Sequence, residues 1–326
     1  MALSETLTDE ALKGLRIAFD PKRLARRIAE ARGEEPGRIA SIEMVRHRPG
    51  RRCVLRCEHR DSRGSVRVLY AKLYRNQRGA ATAEIHRALE RIRESSPEFP
   101  PVPRLYAYLD RERLLLTEEI AGVSLAGRGI PADSYRRAGR ALAHLHRARF
   151  PLAREHSSAA EAGVLRLAAG RLARARPHLS ARVAAVVERL ERAILSAAPE
   201  RAILHRDFHP AQVIVGETVA FLDLDEVSWG DPALDVGNFL AHLALPRRPA
   251  GPRAGPGAPA ALESCSAEWD AFLGGYRGAE GPARSDRIPA ARAATCARLA
   301  GIEAVQDAGS PLVERLLESA ERTVLG

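Results

Sequence analysis

Apolar positions along the chain fall first at helical spacing. Asp20 and Pro21 form a cap signal, and Leu24, Ile28 and Ala31 share one side, which predicts a short amphipathic helix over residues 20–32. From Ile39 the period changes to two. Ile42 and Met44 lie on one strand, RHRPGRR at 46–52 makes the turn, Cys53, Leu55 and Cys57 return, and a third strand follows at Val66–Tyr74. Residues 80–93 revert to helix, with Ala81, Ile85, Ala88, Leu89 and Ile92 as the apolar stripe. Pro100, Pro101 and Pro103 mark an extended linker, and strands at 105–109 and 113–119 are joined by the charged turn 110–112. Past Gly122, which lets the chain turn, the pattern is helical. It runs through Tyr135, Ala138, Leu142 and Leu145, then residues 160–198, 269–276, 290–305 and 311–325. The Pro- and Gly-rich run within 246–262 supports no packed element and reads as a flexible insertion. The class is therefore α+β, with a small antiparallel sheet in residues 1–116 and a mainly helical part in residues 117–326.

Composition narrows the picture. A hydrophobic share of 45% with 28% charged residues is ordinary for a soluble protein of 326 residues. No signal-peptide pattern opens the chain and no run approaches membrane-spanning length, so a cytoplasmic, non-membrane protein is expected. The net charge of +10 sits in one part: residues 1–113 hold 25 Lys plus Arg against 16 Asp plus Glu, and residues 114–240 hold 16 against 15. Aromatics make up only 5%, so no basic patch interleaved with aromatics points to nucleic acid. Cys53 and Cys57 share a strand face, far in sequence from Cys265 and Cys296, and buried free thiols are expected rather than a zinc site.

The densest chemistry lies in residues 205–235, HRDFHPAQVIVGETVAFLDLDEVSWGDPALD. HRDFHPAQ reads as a loop broken by Pro210. Val213, Ile214 and Val215, a turn at 216–218 and an apolar run at 219–224 read as a tight hairpin. Asp223 and Asp225, two apart on extended backbone, are expected on one face. Asp231 before Pro232 caps an apolar helix running through Leu243.

This stretch resembles the aminoglycoside phosphotransferase and choline kinase group, whose pattern runs roughly HGDxHPxNxxV, a hairpin, then IDxxxxxxGDPxxDL. His205, Asp207, His209, Pro210, Val213, Asp223, Gly230, Asp231, Pro232 and Asp235 match it. Arg206 replaces the usual glycine and Gln212 the usual asparagine. The resemblance implies a bilobal protein-kinase-like fold and an ATP-dependent phosphotransferase acting on a hydroxyl of a small molecule: a sugar, an amino alcohol or an antibiotic. Asp207 then serves as catalytic base, and Asp223 and Gln212 hold Mg2+. His205 and Asp235 mostly brace the loop.

The first part of the chain takes its roles from the same likeness. Lys72, inside the third strand, needs a partner. Glu84, bordering the apolar stripe of the following helix, is the expected one, as in the lysine and glutamate pair that steadies nucleotide phosphates; the alternative is an edge-strand lysine reaching water. Arg51 and Arg52, beside Gly50 in a turn that stands where a glycine-rich loop is expected, either approach phosphate or form an exposed basic tip. Tyr70 would lie above the adenine. Glu118, Glu119 and Ile120 would offer it backbone groups. Two other readings of the letters stay open: a nucleotide-binding pseudokinase acting through partners, suggested by Gln212, and a dinuclear metal hydrolase using His205, Asp207, His209 and Asp223.

Overall fold

The computed structural model describes residues 9–196, 200–245 and 265–325. The Pro- and Gly-rich segment at 246–262, expected to be a flexible insertion, lies outside the described residues. Contacts divide the chain into two compact units. One takes the chain up to Pro97, Pro101–Ala121 and Ala220–Asp225; the other takes Glu98–Pro100, Gly122–Val219 and the chain from Glu226 on.

The first unit opens with α1 (Leu15–Ala18) and α2 (Pro21–Arg32). The Asp20 carboxylate accepts from the N–H groups of Lys22 and Arg23, capping α2 as its position before proline predicts. Next come β1 (Arg38–Arg48), β2 (Arg52–Arg60), β3 (Val66–Tyr74), α3 (Arg78–Ser95), β4 (Leu105–Leu109) and β5 (Leu114–Glu118). The five strands form an antiparallel sheet in the order β1-β2-β3-β5-β4. Alternation decides its two faces. Cys53, Leu55 and Cys57 of β2 and Leu69, Ala71 and Leu73 of β3 are wholly buried against Leu12, Leu15, Leu24 and Ile28 from the preceding helices. Burial pushes the Cys53 thiol up to about 11 and Cys57 up to about 12, and all four cysteines are free. Tyr70, Lys72 and Tyr74 must then project from the other face of β3. The turn expected over 46–52 is shorter than its letters suggest, since β1 continues to Arg48 and β2 begins at Arg52.

The second unit contains β6 (Val123–Ser124), α4 (Ala132–Arg147), β7 (Glu155–His156), α5 (Ser158–Ala175), α6 (Ser180–Leu195), β8 (Ala202–Leu204) and β9 (Val213–Val215). The hairpin strand β10 (Val219–Phe221) carries the chain out of this unit after Val219, and β11 (Ser228–Gly230) follows its return. Then come α7 (Ala233–Leu243), α8 (Ser266–Gly278), α9 (Ile288–Gln306) and α10 (Leu312–Leu325). Residues 160–198 are not one helical run: Pro177 ends α5 by way of a single 3-10 turn before α6, because proline cannot continue a helix ladder. Leu165, Leu172, Val186, Leu190, Ala297, Ala300, Leu316 and Leu317 share the core that α5, α6, α9 and α10 enclose.

Two glycines let backbones touch. Gly122 has φ +146, and a methyl there would meet Val215 O at 2.7 Å, so the chain enters this unit where no larger residue fits. Where α4 crosses α8, a methyl on Gly275 would lie 1.9 Å from Arg136 O. Gly275→Ala is therefore expected to destabilise the protein by about 1–3 kcal/mol, the scale of core overpacking, read as a lowered urea midpoint.

Candidate active site

The residues singled out in the sequence fall into two sets, one in each unit. In the first unit β3 delivers Lys72. It is one of only three lysines in a chain with 51 Lys plus Arg. Its ammonium lies 2.8 Å from Asp223 Oδ1 and 2.6 Å from Asp225 Oδ2. The structure does not bring Lys72 to Glu84. The Glu84 side chain is 69% exposed and pairs with Arg87 one turn on.

The reason lies in how α3 is turned. Its buried face is Gly79, Thr82, Ala83, Ile85, His86, Ala88 and Leu89, which includes two polar residues that an apolar stripe passes over, while Ala81 faces water. His86 Nδ1 lies 2.7 Å from Pro103 O. Burial pushes its imidazole down to about 4, so at neutral pH it is uncharged and Nδ1–H donates to that carbonyl.

Asp223 and Asp225 do share a site, though not on an extended strand. β10 ends at Phe221, Asp223 adopts a left-handed backbone at φ +56, and a 3-10 turn spans Leu224–Glu226. Asp225 is the more enclosed of the two. Tyr74 Oη donates to Asp225 Oδ1 at 2.7 Å, and Thr82 Oγ1 stands 3.5 Å from the same oxygen. Burial first, and then the Asp225 charge, raise the Tyr74 phenol well above its ordinary pKa, which keeps it a donor.

Arg52 reaches this cluster and Arg51 does not. Arg52 Nη1 is 3.7 Å from Asp223 and 3.8 Å from Asp225, whereas Arg51 is exposed. The turn that carries them is pinned at its tip: Asp9 Oδ2 accepts from the Gly50 N–H at 2.9 Å and lies 2.9 Å from His47 Nε2. Arg48 is held below its ordinary pKa by burial and then by the charges of Arg46, Arg52 and Arg51, the mark of a crowded cationic turn. At the end of β5, the Glu118 N–H is already committed to Arg104 O at 2.9 Å and its carboxylate to Arg67 at 3.3 Å. Ile120 lies beyond the strand and its N–H makes no hydrogen bond among the described residues. The Tyr70 hydroxyl lies 3.3 Å from Glu119 Oε1.

In the second unit the loop after β8 is fixed from both sides. The Asp235 carboxylate accepts from the His205 N–H at 2.6 Å and the Arg206 N–H at 2.8 Å, and lies 3.2 Å from His146 Nε2. The other ring nitrogen of His146 meets the Tyr276 hydroxyl at 2.7 Å. Arg206 sits at φ +70, the left-handed region in which glycine costs nothing, which is a physical reason for the glycine of the resembling pattern. Its guanidinium lies 3.5 Å from the buried Glu161, itself 2.7 Å from His156. After Asp207 the Phe208 ring is wholly buried on Phe239, with centroids 5.2 Å apart, and Asn238 Nδ2 donates to Phe208 O at 2.8 Å. Arg298 of α9 in turn donates to Asn238 Oδ1 at 2.6 Å. Between these anchors the Asp207 side chain remains 45% exposed, with His209 Nε2 3.8 Å from it. Gln212 closes a 3-10 turn, its N–H on His209 O at 2.8 Å, and its side-chain amide makes no hydrogen bond among the described residues.

His205 is wholly buried, and no group of three or more His, Cys, Asp or Glu side chains able to hold a metal occurs among the described residues. Sequence reasoning missed Tyr74, Asn238 and Arg298, and it placed Asp225 beside Asp223 without its partners Tyr74 and Lys72. Asn238 and His242 did leave a signal, since with Asp235 they fall at i, i+3 and i+7 on an otherwise apolar helix.

Three solved structures share this architecture. Spectinomycin phosphotransferase APH(9)-Ia, solved with ADP and spectinomycin, matches with TM-score 0.60 at 15% identity over 93% of this chain and 98% of its own. Choline kinase LicA from Streptococcus pneumoniae matches with TM-score 0.60 at 13% identity, over 87% of this chain and 94% of its own. Amicoumacin kinase hAmiN, solved in complex with AMP-PNP, Ca2+ and Ami, matches with TM-score 0.59 at 14% identity over 86% of this chain and 88% of its own. No curated protein matches the sequence. The fold is thus that of the kinase-like small-molecule phosphotransferases: an antiparallel sheet with its helices, then a helical part. The chain belongs to the phosphotransferase enzyme family, whose model matches residues 59–284. No helix among the described residues is long and apolar enough to cross a membrane.

The buried Asp235 makes the loop sensitive to acid. Burial alone would raise its pKa, but the hydrogen bond and charge of His146, the charge of His205 and the His205 N–H together hold it below the ordinary value. A depressed folded pKa stabilises the protein above the unfolded value of about 3.9, and that contribution is lost as pH falls through the folded pKa. Asp235→Asn is expected to lower stability by about 2–3 kcal/mol at neutral pH, with the gap to the native protein closing below about pH 4. Urea midpoints of both proteins across pH 3–7 check this.

Proposed function

We propose that the protein transfers the γ-phosphoryl group of ATP to a hydroxyl of a small molecule, with a sugar, an amino alcohol or an antibiotic as the acceptor class. The observation that carries this reading is Asp207: a half-exposed carboxylate on backbone that Asp235 pins on one side and Phe208 anchors on the other. Such a group orients an acceptor hydroxyl without itself moving, which is most of what phosphoryl transfer asks of a protein. As the bond from the acceptor oxygen to phosphorus forms and the bond to the β–γ bridging oxygen breaks, the hydroxyl proton passes to Asp207 and ADP leaves.

Lys72 and Arg52 are the cations for the nucleotide phosphates, and the exposed Arg51 adds charge from the same turn. The Ile120 N–H is the adenine donor and Tyr70 flanks the base. Asp223 and Gln212 carry the oxygen donors for Mg2+, a hard cation that suits carboxylate and amide oxygens. Mg2+, when bound, neutralises charge on the phosphates. Gln212 offers its carbonyl one methylene further from the backbone than asparagine. His205, one of the residues of the alternative hydrolase set, is wholly buried, which supports the phosphotransferase reading over it.

The native protein is expected to turn over ATP in the presence of Mg2+ and an acceptor, assayed against a panel of sugars, amino alcohols and antibiotics. Asp207→Ala is expected to lower kcat by roughly a thousandfold, the scale of a lost general base, while nucleotide affinity stays within about twofold. Nucleotide binding without turnover on any acceptor, with Asp207→Ala indistinguishable from the native protein, is the result a pseudokinase gives.

A further inference from the structure

We infer that Asp225, and not an acid on α3, is the positioning residue that holds Lys72 for the nucleotide phosphates. The functional consequence rests on the phosphotransferase reading above; the structural pairing does not.

Four observations carry the inference. Lys72 Nζ makes its shorter contact, 2.6 Å, with Asp225 Oδ2. Asp225 is nearly enclosed, and its other oxygen is held by Tyr74 from β3 and approached by Thr82 from α3, so the carboxylate is fixed by the two elements that frame Lys72. On α3 the inward positions at this level are Thr82 and His86, neither of which carries a charge to neutralise an ammonium, while Glu84 points to water. Finally, Asp223, which also accepts from Lys72 at 2.8 Å, is the more exposed of the two acids, 23% against 9%, so it is the acid with more room for a metal.

These facts divide the labour within DLD at 223–225. Asp225 spends both oxygens on protein groups and acts as a fixed counter-ion. Asp223 shares Lys72 but has the exposure to turn to a metal. The lysine is therefore tied to the segment that follows β10 and not to the rotation of a helix. A rocking motion of α3 that broke a lysine and glutamate pair would leave this pair intact.

The experiment uses full-length protein in its native form and as Asp225→Asn, Glu84→Gln, Tyr74→Phe and Lys72→Met. The first readout needs no nucleotide: amine-reactive labelling of metal-free protein, resolved by mass spectrometry, in which Lys13 and Lys22 serve as internal references for Lys72. Asp225→Asn is expected to raise the Lys72 labelling rate severalfold, Tyr74→Phe to raise it less, and Glu84→Gln to leave it unchanged. The second readout is kinetic. Asp225→Asn is expected to raise KM for ATP about tenfold, the scale of one lost charge-assisted contact, with a smaller change in kcat and no change in the Mg2+ concentration for half-maximal rate. Adding it to Lys72→Met is expected to cost nothing further, as for two residues acting through each other. Tyr74→Phe keeps the acid and removes only its brace, so it reports on the pair even where Asp225→Asn fails to fold.

Unchanged Lys72 labelling in Asp225→Asn, or equal labelling effects from Glu84→Gln, overturns the inference. So does a shift confined to the Mg2+ requirement, which would make Asp225 a metal ligand. A native protein that neither binds nor turns over nucleotide, yet shows the expected labelling differences, sinks the phosphotransferase reading and leaves the pairing standing.

Discussion

A carboxylate taken out of water must gather donors or lose its charge, and Asp235 gathers them from the loop after β8 and from α4. It accepts the backbone N–H groups of His205 and Arg206, and it faces His146 of α4, whose far nitrogen reaches Tyr276 of α8. One side chain on α7 thereby fixes the loop after β8, the helix before it and the helix beyond. Remove the carboxylate and the two N–H groups at the start of the loop lose their acceptor. The placing of Asp207 depends on this: its carboxylate stands half in solvent between Arg206, whose N–H Asp235 holds, and Phe208, which is buried on Phe239.

The same logic runs through Arg206. A non-glycine residue in the left-handed region carries a cost of about 1–2 kcal/mol, and here it is offset by a hydrogen bond from its own N–H to Asp235 and an ion pair with the buried Glu161. Arginine in a glycine position is thus an adapted departure. It adds a cation to the wall behind the loop, where Arg298 already donates to Asn238.

The parts of the fold legible in the sequence were those whose period matched their burial. β2 and β3 alternate cleanly, so their faces, and with them the direction of Lys72, could be read from Cys53, Leu55, Cys57 and Leu69, Ala71, Leu73. The motif between 205 and 235 was dense enough to read directly, and Asp20 announced its helix. What failed was burial of polar residues. Thr82 and His86 face inward on α3, so an apolar stripe drawn without them turned the helix too far and brought Glu84 inside. Asp225 failed for a related reason: its partners, Tyr74 and Lys72, lie about 150 residues earlier, and no local spacing encodes a contact of that separation. The break at Pro177 was legible in principle, since the proline was there to be read.

The first unit is not a contiguous piece of chain. Its last six residues, Ala220–Asp225, arrive only after nearly a hundred residues of the other unit. On a ribosome the five-stranded sheet can form its ladders early, yet Lys72 stays without its counter-ions until the segment 151 residues downstream has emerged. The sheet therefore waits, electrostatically incomplete, for the segment that follows β10, and a fragment cut at Ala121 would lack the two acids that hold this half-buried ammonium.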